Sequence, residues 1–168
     1  SFNSLDDLDS KVAEAVAQAA AVGGVKTELG EVEPNVDVVP AHIVNDPAEI
    51  SLDEKKRLMD HYNDLVWSVD GINSADIVYG DTSRKTFFGN TDGSYIEQQQ
   101  VHVISRISAQ ARDGSDVQQA GFSLGSQGDY DVVRDLDDDV VDAAKRAVGL
   151  LTAKSIDGSE RTVVLDPV

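Results

Sequence analysis

The sequence predicts an α+β fold: an antiparallel sheet with a long strand meander, packed by two or three helices. One observation is the period of two with which apolar and polar residues alternate between residues 74 and 125, in runs separated by short polar turns. Another is the helical spacing of apolar residues in the segments on either side of this region. Strands grouped together and flanked by helices favour an α+β domain with an antiparallel sheet.

A first helix is predicted within residues 1–24, which we expect to continue from an upstream module that has been removed. Ser4 to Asp7 resembles a capping box, and Gly23 and Gly24 end the helical pattern. The stretch is rich in Ala and has few large side chains, so we expect it to pack against a partner surface. Its apolar stripe consists of Leu5, Leu8, Val12, Val16 and Ala19.

Residues 25–50 are predicted to form an extended connector that crosses the body of the protein. Pro34, Pro40 and Pro47 interrupt any helical period in this segment. The apolar residues expected to be buried are Val38, Val39, Ile43 and Val44.

A second helix is predicted from Ser51 to about Ser68. Ser51 and Glu54 have the spacing of a capping box, in which each side chain bonds a free backbone amide of the first turn. The apolar stripe expected to face the core is Leu52, Leu58, Met59, Tyr62, Leu65 and Val66.

At least four consecutive strands with short turns are predicted after this helix. Residues 74–81 and 84–90 form the first two strands, separated by a turn at Asp81–Ser83. Asn90 and Gly93 are predicted to form the next turn, with a positive φ at Gly93. The longest strand then runs from Tyr95 to about Ala111, with Val101, Val103, Ile107 and Ala109 on one face and His102, Arg106, Ser108 and Gln110 on the other.

A hairpin at residues 112–116 is predicted to lead into a strand at 117–125, and a third helix then begins at Asp137. A last strand is expected at Thr162–Leu165, paired in the sheet. On this reading, residues 51–168 form an α+β middle domain that leads into a catalytic domain absent from the chain. The residues of the third helix expected to be buried are Val140, Val141, Ala144, Ala147, Val148 and Leu151.

The composition excludes several classes of function. The 168 residues include 31 acidic and 14 basic side chains, a formal net charge of −17, which repels a phosphate backbone and argues against nucleic acid as a partner. There is no cysteine, hence no disulfide framework and no thiolate metal site. No apolar run reaches the roughly 20 residues that span a bilayer, and the N-terminal residues do not form a signal peptide. We therefore expect a cytoplasmic protein with no membrane partner.

The residues alone predict neither a catalytic site nor a metal site. The three histidines, His42, His61 and His102, are far apart in sequence, and none belongs to an HExxH-type zinc helix. The acidic run at residues 135–139 lacks the ligand spacing of a calcium loop and is explained by a helix N-terminus. No nucleophile motif or phosphate-binding loop is present.

Three stretches occur together in an order that resembles the TldD/PmbA metallopeptidase family, also called the modulator of DNA gyrase family. These are FGNTDG at 88–93, with Thr91 where the family pattern has Ser, GFSLGSQGDYD at 121–131, and GSERTVVLDP at 158–167. The resemblance implies zinc-dependent proteolysis of small or unfolded peptides by subunits that pair with themselves or with a paralogue. It places the zinc and its HExxxH helix in a catalytic domain downstream, so no cofactor is expected in this segment.

Three roles for the segment follow from this resemblance: a scaffold for its own catalytic domain, a wall of the substrate channel, or a dimer surface. An extended peptide can add to a sheet edge through main-chain hydrogen bonds, and the polar start of the long strand is the candidate for lining such a channel. The candidate residues there are Gln98, Gln100 and His102. A stand-alone protein- or peptide-binding module without protease activity is the alternative.

Overall fold

The structure, a computed structural model, describes residues 4–24, 30–154, 158–160 and 162–165. The chain divides into two compact units, residues 1–34 and residues 35–168. The described elements are helices and one mixed, mainly antiparallel sheet, so the fold class is α+β as the sequence predicts. None of the described helices is long and apolar enough to cross a membrane.

The first unit contains helix α1, Leu8–Val22, none of whose residues is buried. The prediction of a capping box at Ser4–Asp7 is wrong. The Ser4 hydroxyl donates a hydrogen bond of 2.6 Å to the Asp6 carboxylate and accepts one from the Asp6 amide, so it does not bond the first turn of the helix. Asp7 occupies the N-cap position in a left-handed conformation, with φ of 60°, and its side chain makes no capping bond.

A long strand organises the second unit. Strand β1, Val36–Val39, comes first in the chain, followed by β2, Ile72–Gly89, β3, Tyr95–Asp113, and β4, Asp116–Gln127. All three other strands pair with β3. Strand β2 covers one edge of β3 along nearly its whole length, while β4 and β1 share the opposite edge. Strand β3 is therefore the central strand of the sheet.

The predicted turn at Asp81–Ser83 does not exist, and β2 is one continuous strand of 18 residues. These three residues pair with Val101–Val103 of β3 without a break in register. The partner strand runs straight through this point, so pairing overrides the turn preference of an Asp-Thr-Ser sequence. The four predicted consecutive strands are accordingly three.

The turn that does reverse the chain between β2 and β3 contains Asn90 and Gly93. The Gly93 amide donates to the Asn90 carbonyl at 3.3 Å, and the Asn90 side chain accepts from the Ser94 amide at 2.9 Å. Gly93 has φ of +93°, a conformation that side chains with a Cβ rarely adopt.

The segment before α2 contributes the fourth strand of the sheet. Strand β1 pairs in parallel with the first residues of β3, and a short 3-10 helix, Pro47–Glu49, follows it. Between them, the chain is held by hydrogen bonds from Val44 and Asn45 to the Gly128 carbonyl, and a Cβ at Gly128 would lie 2.1 Å from the His42 carbonyl oxygen. Backbone hydrogen bonds therefore hold this segment in place without burial of its side chains. The prediction that its apolar residues are buried is wrong, and the exposed residues are Val38, Val39, Ile43 and Val44.

Two helices cover one face of the sheet. Helix α2, Leu52–Trp67, begins at Ser51, whose hydroxyl accepts from the Glu54 amide at 3.2 Å, the first half of the predicted capping box. Helix α3, Asp137–Leu150, follows a 3-10 helix at Tyr130–Val133. The main cluster of fully buried side chains joins both helices to β3 and consists of Tyr62, Val66, Ile107, Ala109, Ala111, Val140, Ala144 and Ala147.

Two further predictions of burial are wrong. Leu52 is exposed because it is the first residue of α2 and lies beyond the edge of the core. Residues Thr162–Leu165 form no strand, and Val163, Val164 and Leu165 are exposed. Arg161 and residues 166–168, which flank this predicted strand, lie outside the described residues.

Candidate functional site

The face of the sheet opposite α2 and α3 is covered by neither of these helices, and we call it the outer face. It is defined by the even-numbered residues of β3, because the odd-numbered ones point into the core beneath the helices. The row along β3 is Gln98, Gln100, His102, Ile104, Arg106 and Ser108. The three predicted channel residues thus share one face, and they lie at the same end of this row.

Two adjoining depressions occupy the middle of the outer face. One, of about 520 Å³, is lined by Asp76, Arg106 and Ser108 among others, and the second, of about 660 Å³, is lined by Val78 and Ile104 among others. Both share Arg106 and Ser123. The surface therefore changes from polar to apolar along β3.

Opposite charges flank the polar depression. The Arg106 guanidinium donates to the Asp76 carboxylate at 2.9 Å, across the β2–β3 pairing. Gln119 of β4 donates to the Ser108 hydroxyl at 2.6 Å. The sequence pattern assigns Arg106 and Ser108 to the polar face of β3, but it does not reveal Asp76 or Gln119, because these partners depend on the register between strands.

The apolar depression contains a large exposed side chain, Ile104, which is 59% exposed. It lies opposite Gly80 on β2 and Gly125 on β4, neither of which has a side chain to cover it. Single exposed apolar residues are common, but this one lies in a concave surface beside Val78, which is also exposed.

The predicted channel residues lie in the first part of β3, away from the residues of β3 that form the main core with α2 and α3. Gln98 is opposite Thr86 of β2 and Val39 of β1, so neither edge of β3 is free at this point. Gln100 and His102 are opposite Arg84 and Thr82. A peptide cannot add to an edge of β3 at Gln98. Between Gln98 and His102, no described strand pairs with β3 on the side that β1 and β4 share.

A buried polar cluster lies on the helix side of the same region. The Lys55 ammonium donates to the Asp81 carboxylate at 2.7 Å, and both side chains are largely buried. The rings of Tyr79 and Tyr130 meet edge to face, with centroids 5.9 Å apart. Neither tyrosine hydroxyl has a hydrogen-bond partner among the described residues.

Burial and charge shift the pKa values of this cluster. Burial raises the pKa of Tyr79 well above its ordinary value, and the nearby Asp81 carboxylate raises it further, although the geometry between the two falls short of a hydrogen bond. Burial alone would raise the pKa of Asp81, but the Lys55 ammonium holds that pKa below its ordinary value. Tyr79 is therefore neutral and Asp81 charged near neutral pH.

The described residues do not fit a zinc site. No group of three His, Asp or Glu side chains in this part of the chain is arranged to hold a metal ion. His61 bonds both carboxylate oxygens of Asp137 at 3.0 Å, joining α2 to the start of α3, while His102 belongs to the outer face.

Comparison with known proteins places this sheet and its two helices in a family. Residues 45–154 match the family model described as the PmbA/TldA metallopeptidase central domain. The chain belongs to the TldD/PmbA metallopeptidase family. The matched region begins after β1 and includes α2, the three long strands and α3, so both faces of the sheet belong to the central domain of that family.

Two curated relatives and one solved structure show the same resemblance. A metalloprotease of Synechocystis sp. is 34% identical over 174 residues, which cover 100% of this chain and 37% of the relative. A metalloprotease of Methanothermobacter thermautotrophicus is 28% identical, covering 83% of this chain and 31% of the relative. The chain therefore spans about a third of the length of these two relatives.

A crystal structure from Thermotoga maritima, described as that of a candidate modulator of a DNA gyrase, has the same fold. It superposes with a TM-score of 0.70 over 93% of this chain and 35% of its own, at 17% sequence identity. At that identity the match establishes the fold alone.

Proposed function

We propose that this chain is the non-catalytic central part of a longer zinc-dependent metallopeptidase that cleaves small or unfolded peptides, and that it acts as a scaffold for the catalytic part. Membership of the TldD/PmbA family supports this proposal, together with relatives about three times as long. The described residues do not fit a zinc site, so the proposal assigns this chain no step in the zinc chemistry.

The observation that carries the proposal is the open outer face. Its centre is concave and apolar at Ile104 and Val78, and it is bordered by the Arg106–Asp76 ion pair. An apolar centre with a polar rim is the arrangement of surfaces that pack against another domain. We assign this face to the contact with the catalytic part, with its polar end at Gln98, Gln100 and His102 directed to the substrate channel.

The test is a substitution at the centre of the outer face in the full-length parent protein. Ile104→Asp is expected to reduce kcat/KM for an unstructured peptide by at least tenfold, because a carboxylate buried at a domain contact is strongly unfavourable. The matched control is Leu52→Asp, which places the same charge on an exposed apolar residue outside this face. It is expected to leave kcat/KM unchanged.

The values of kcat and KM for Ile104→Asp distinguish a scaffold from a wall of the substrate channel. A loss in kcat with little change in KM indicates a scaffold that positions the catalytic part, whereas a rise in KM alone indicates a channel wall. Equal activity of Ile104→Asp and wild type would refute a role for the outer face. A parent protein with no peptidase activity under any zinc condition would favour the stand-alone binding module instead.

A further inference from the structure

A further pocket lies on the helix side of the sheet, between α2 and the segment that leads into α3, and we call it the α2–α3 pocket. Its volume is about 450 Å³, within the roughly 300–1,000 Å³ of pockets that hold small molecules. One wall is a single face of α2, because its residues follow the helical spacing of three and four. The opposite wall lies within residues 130–137. The residues of the α2 wall are Glu54, Arg57, Leu58, His61 and Tyr62.

The base of this pocket is aromatic and contains a buried hydroxyl without a partner. Tyr62 and Tyr130 are both 0% exposed. The Tyr62 hydroxyl bonds the Val133 carbonyl, whereas the Tyr130 hydroxyl has no hydrogen-bond partner among the described residues. The charges of Arg134 and Glu54, which both line the pocket, act on the Tyr130 hydroxyl. Buried polar groups are nearly always hydrogen-bonded, so this hydroxyl indicates a place where a polar group of a ligand is received.

The side chain that covers Tyr130 is held only by exposed ion pairs. The Arg134 guanidinium lies 5.1 Å from the centre of the Tyr130 ring. It pairs with Glu54 across the pocket at 2.9 Å and with Asp131 at 3.3 Å. Because the Arg134 side chain is 39% exposed and surface ion pairs contribute little, it can rotate and open the ring to a small molecule.

Two charges of opposite sign are left unpaired in the pocket. His61 bonds both carboxylate oxygens of Asp137 at 3.0 Å, so these two groups are occupied. The Asp135 carboxylate makes neither a hydrogen bond nor an ion pair with any described residue. The Arg57 guanidinium makes no ion pair within the same part of the chain, and only its Nε is used, in a bond to a backbone carbonyl of α2. Arg57 and Asp135 therefore place one positive and one negative group on opposite walls.

We propose that the α2–α3 pocket binds a free α-amino acid with an apolar side chain, held as a zwitterion. Its carboxylate pairs with Arg57, whose planar guanidinium suits a carboxylate, and its ammonium pairs with Asp135. Its side chain packs on the partly buried Leu58 and on the ring of Tyr62. The Tyr130 hydroxyl donates to the ligand carboxylate, and burial raises the pKa of Tyr130, which keeps the hydroxyl protonated near neutral pH.

The charges of the pocket disfavour the other common classes of ligand. A polyanion such as a nucleotide would meet three carboxylates, those of Glu54, Asp135 and Asp137. No group of three acidic or histidine side chains in the described part of the chain is arranged to hold a metal ion. An organic cation would meet Arg57 and Arg134. A ligand with one charge of each sign is the class that pairs with both walls.

Isothermal titration calorimetry of the full chain with L-leucine tests the zwitterion. N-acetyl-L-leucine lacks the ammonium, and L-leucinamide lacks the carboxylate. Each is expected to bind at least tenfold more weakly than L-leucine, because one charge of the pocket then faces no partner. Glycine, which lacks the apolar side chain, is also expected to bind more weakly. Equal affinity for all four compounds, or no binding of L-leucine at about 10 mM, would overturn the proposal.

Matched variants test the two walls separately. Arg57→Gln and Asp135→Asn are each expected to reduce the affinity for L-leucine at least tenfold. Asp135 has φ of 55°, a left-handed conformation that Asn also adopts, so the substitution retains the backbone. The controls are Arg146→Gln and Asp142→Asn, which remove the same charges from exposed positions of α3 outside the pocket. Controls that weaken binding as much as the pocket variants would show an effect of net charge alone and refute the site.

Tyr130→Phe distinguishes a hydroxyl that serves a ligand from one that serves the fold. Removing a hydroxyl that has no partner costs the folded state nothing, so the urea midpoint is expected to equal or exceed that of wild type. The affinity for L-leucine is expected to fall about threefold or more. A lower midpoint would show that the hydroxyl is already bonded in the free protein and would contradict the proposal. The inference does not rest on the proposed scaffold role, and its variants lie on the helix side, away from Ile104.

Discussion

Tyr62 joins α2 to the segment before α3 through its hydroxyl. It is fully buried, and its hydroxyl donates a hydrogen bond of 2.7 Å to the Val133 carbonyl. The same oxygen accepts a longer bond, 3.4 Å, from the Leu136 amide. Its ring packs in the main core, so one residue contributes both apolar burial and backbone hydrogen bonding.

Removing this hydroxyl should destabilise the fold. Tyr62→Phe retains the ring but leaves the Val133 carbonyl buried without its partner, at a cost of about 1–3 kcal/mol. Urea unfolding followed by circular dichroism would measure the change, with Tyr95→Phe, a partly exposed tyrosine, as the control. Equal midpoints for the two variants would show that the hydrogen bond contributes nothing.

The apolar spacing of the second helix predicts the burial of Tyr62 but not the partner of its hydroxyl. That partner is 71 residues away in sequence, and no local pattern encodes such a distance. The same holds for Arg106 and Asp76, which are 30 residues apart and meet only through the register of two strands. The prediction of Leu52 as a core residue fails because periodicity does not show where the packed surface ends.

Among the elements, the contact between α2 and β2 depends on an ion pair with little access to water. Lys55 and Asp81 lie on the helix-facing side of the sheet, and the Lys55 ammonium also lies 5.5 Å from the centre of the Tyr79 ring. The pKa of Asp81 is lowered in the folded state. Its contribution to stability is therefore present above the ordinary pKa of Asp, about 3.9, and is lost as the pH falls through the folded pKa.

This linkage predicts a pH-dependent difference between wild type and Asp81→Asn. The difference in unfolding free energy should be largest above about pH 5 and should shrink as the pH falls below about 3.9 and through the lowered folded-state pKa, where the wild-type carboxyl becomes protonated in the folded protein too. Urea unfolding at a series of pH values measures it. Lys55→Met should remove the same pH-dependent part of the unfolding free energy. A difference between wild type and Asp81→Asn that stays constant with pH would contradict a lowered pKa of Asp81 in the folded state.

Long elements with strong periodicity are predicted well from the sequence, and pairing between distant elements is not. The second helix and the long strand occur close to their predicted limits, because each has an extended pattern with clear end signals. Strand β1 is four residues long and joins the sheet in parallel, which no pattern within it indicates. The polar row on β3 was predictable, but the depressions on the outer face depend on glycines of two other strands.

For the whole molecule, the dominant electrostatic feature is the negative net charge of −17, from 31 acidic and 14 basic side chains. The ion pairs at Lys55 and Arg106 neutralise a few of these carboxylates, and most of the remaining charge faces water. Repulsion among like charges opposes the compact state, and dissolved salt screens it over a Debye length of about 10 Å at 0.1 M.

Salt should therefore stabilise the folded chain. Raising NaCl from about 0.02 M to about 0.5 M is expected to increase Tm by a few degrees, measured by calorimetry at neutral pH. Potassium chloride should give the same rise, because the effect depends on ionic strength. A Tm that falls with salt would show that specific ion pairs outweigh the net repulsion.

The central position of β3 also sets an order in time for assembly of the sheet. Strands β2 and β4 reach β3 through short turns, so these hairpins can close within microseconds. Strand β1 must bring Asn35 to Ser94, a contact between residues 59 apart, and gains only four paired residues. The entropy of closing that loop is large relative to so short a ladder. Strand β1 should therefore join last during folding and detach first during unfolding.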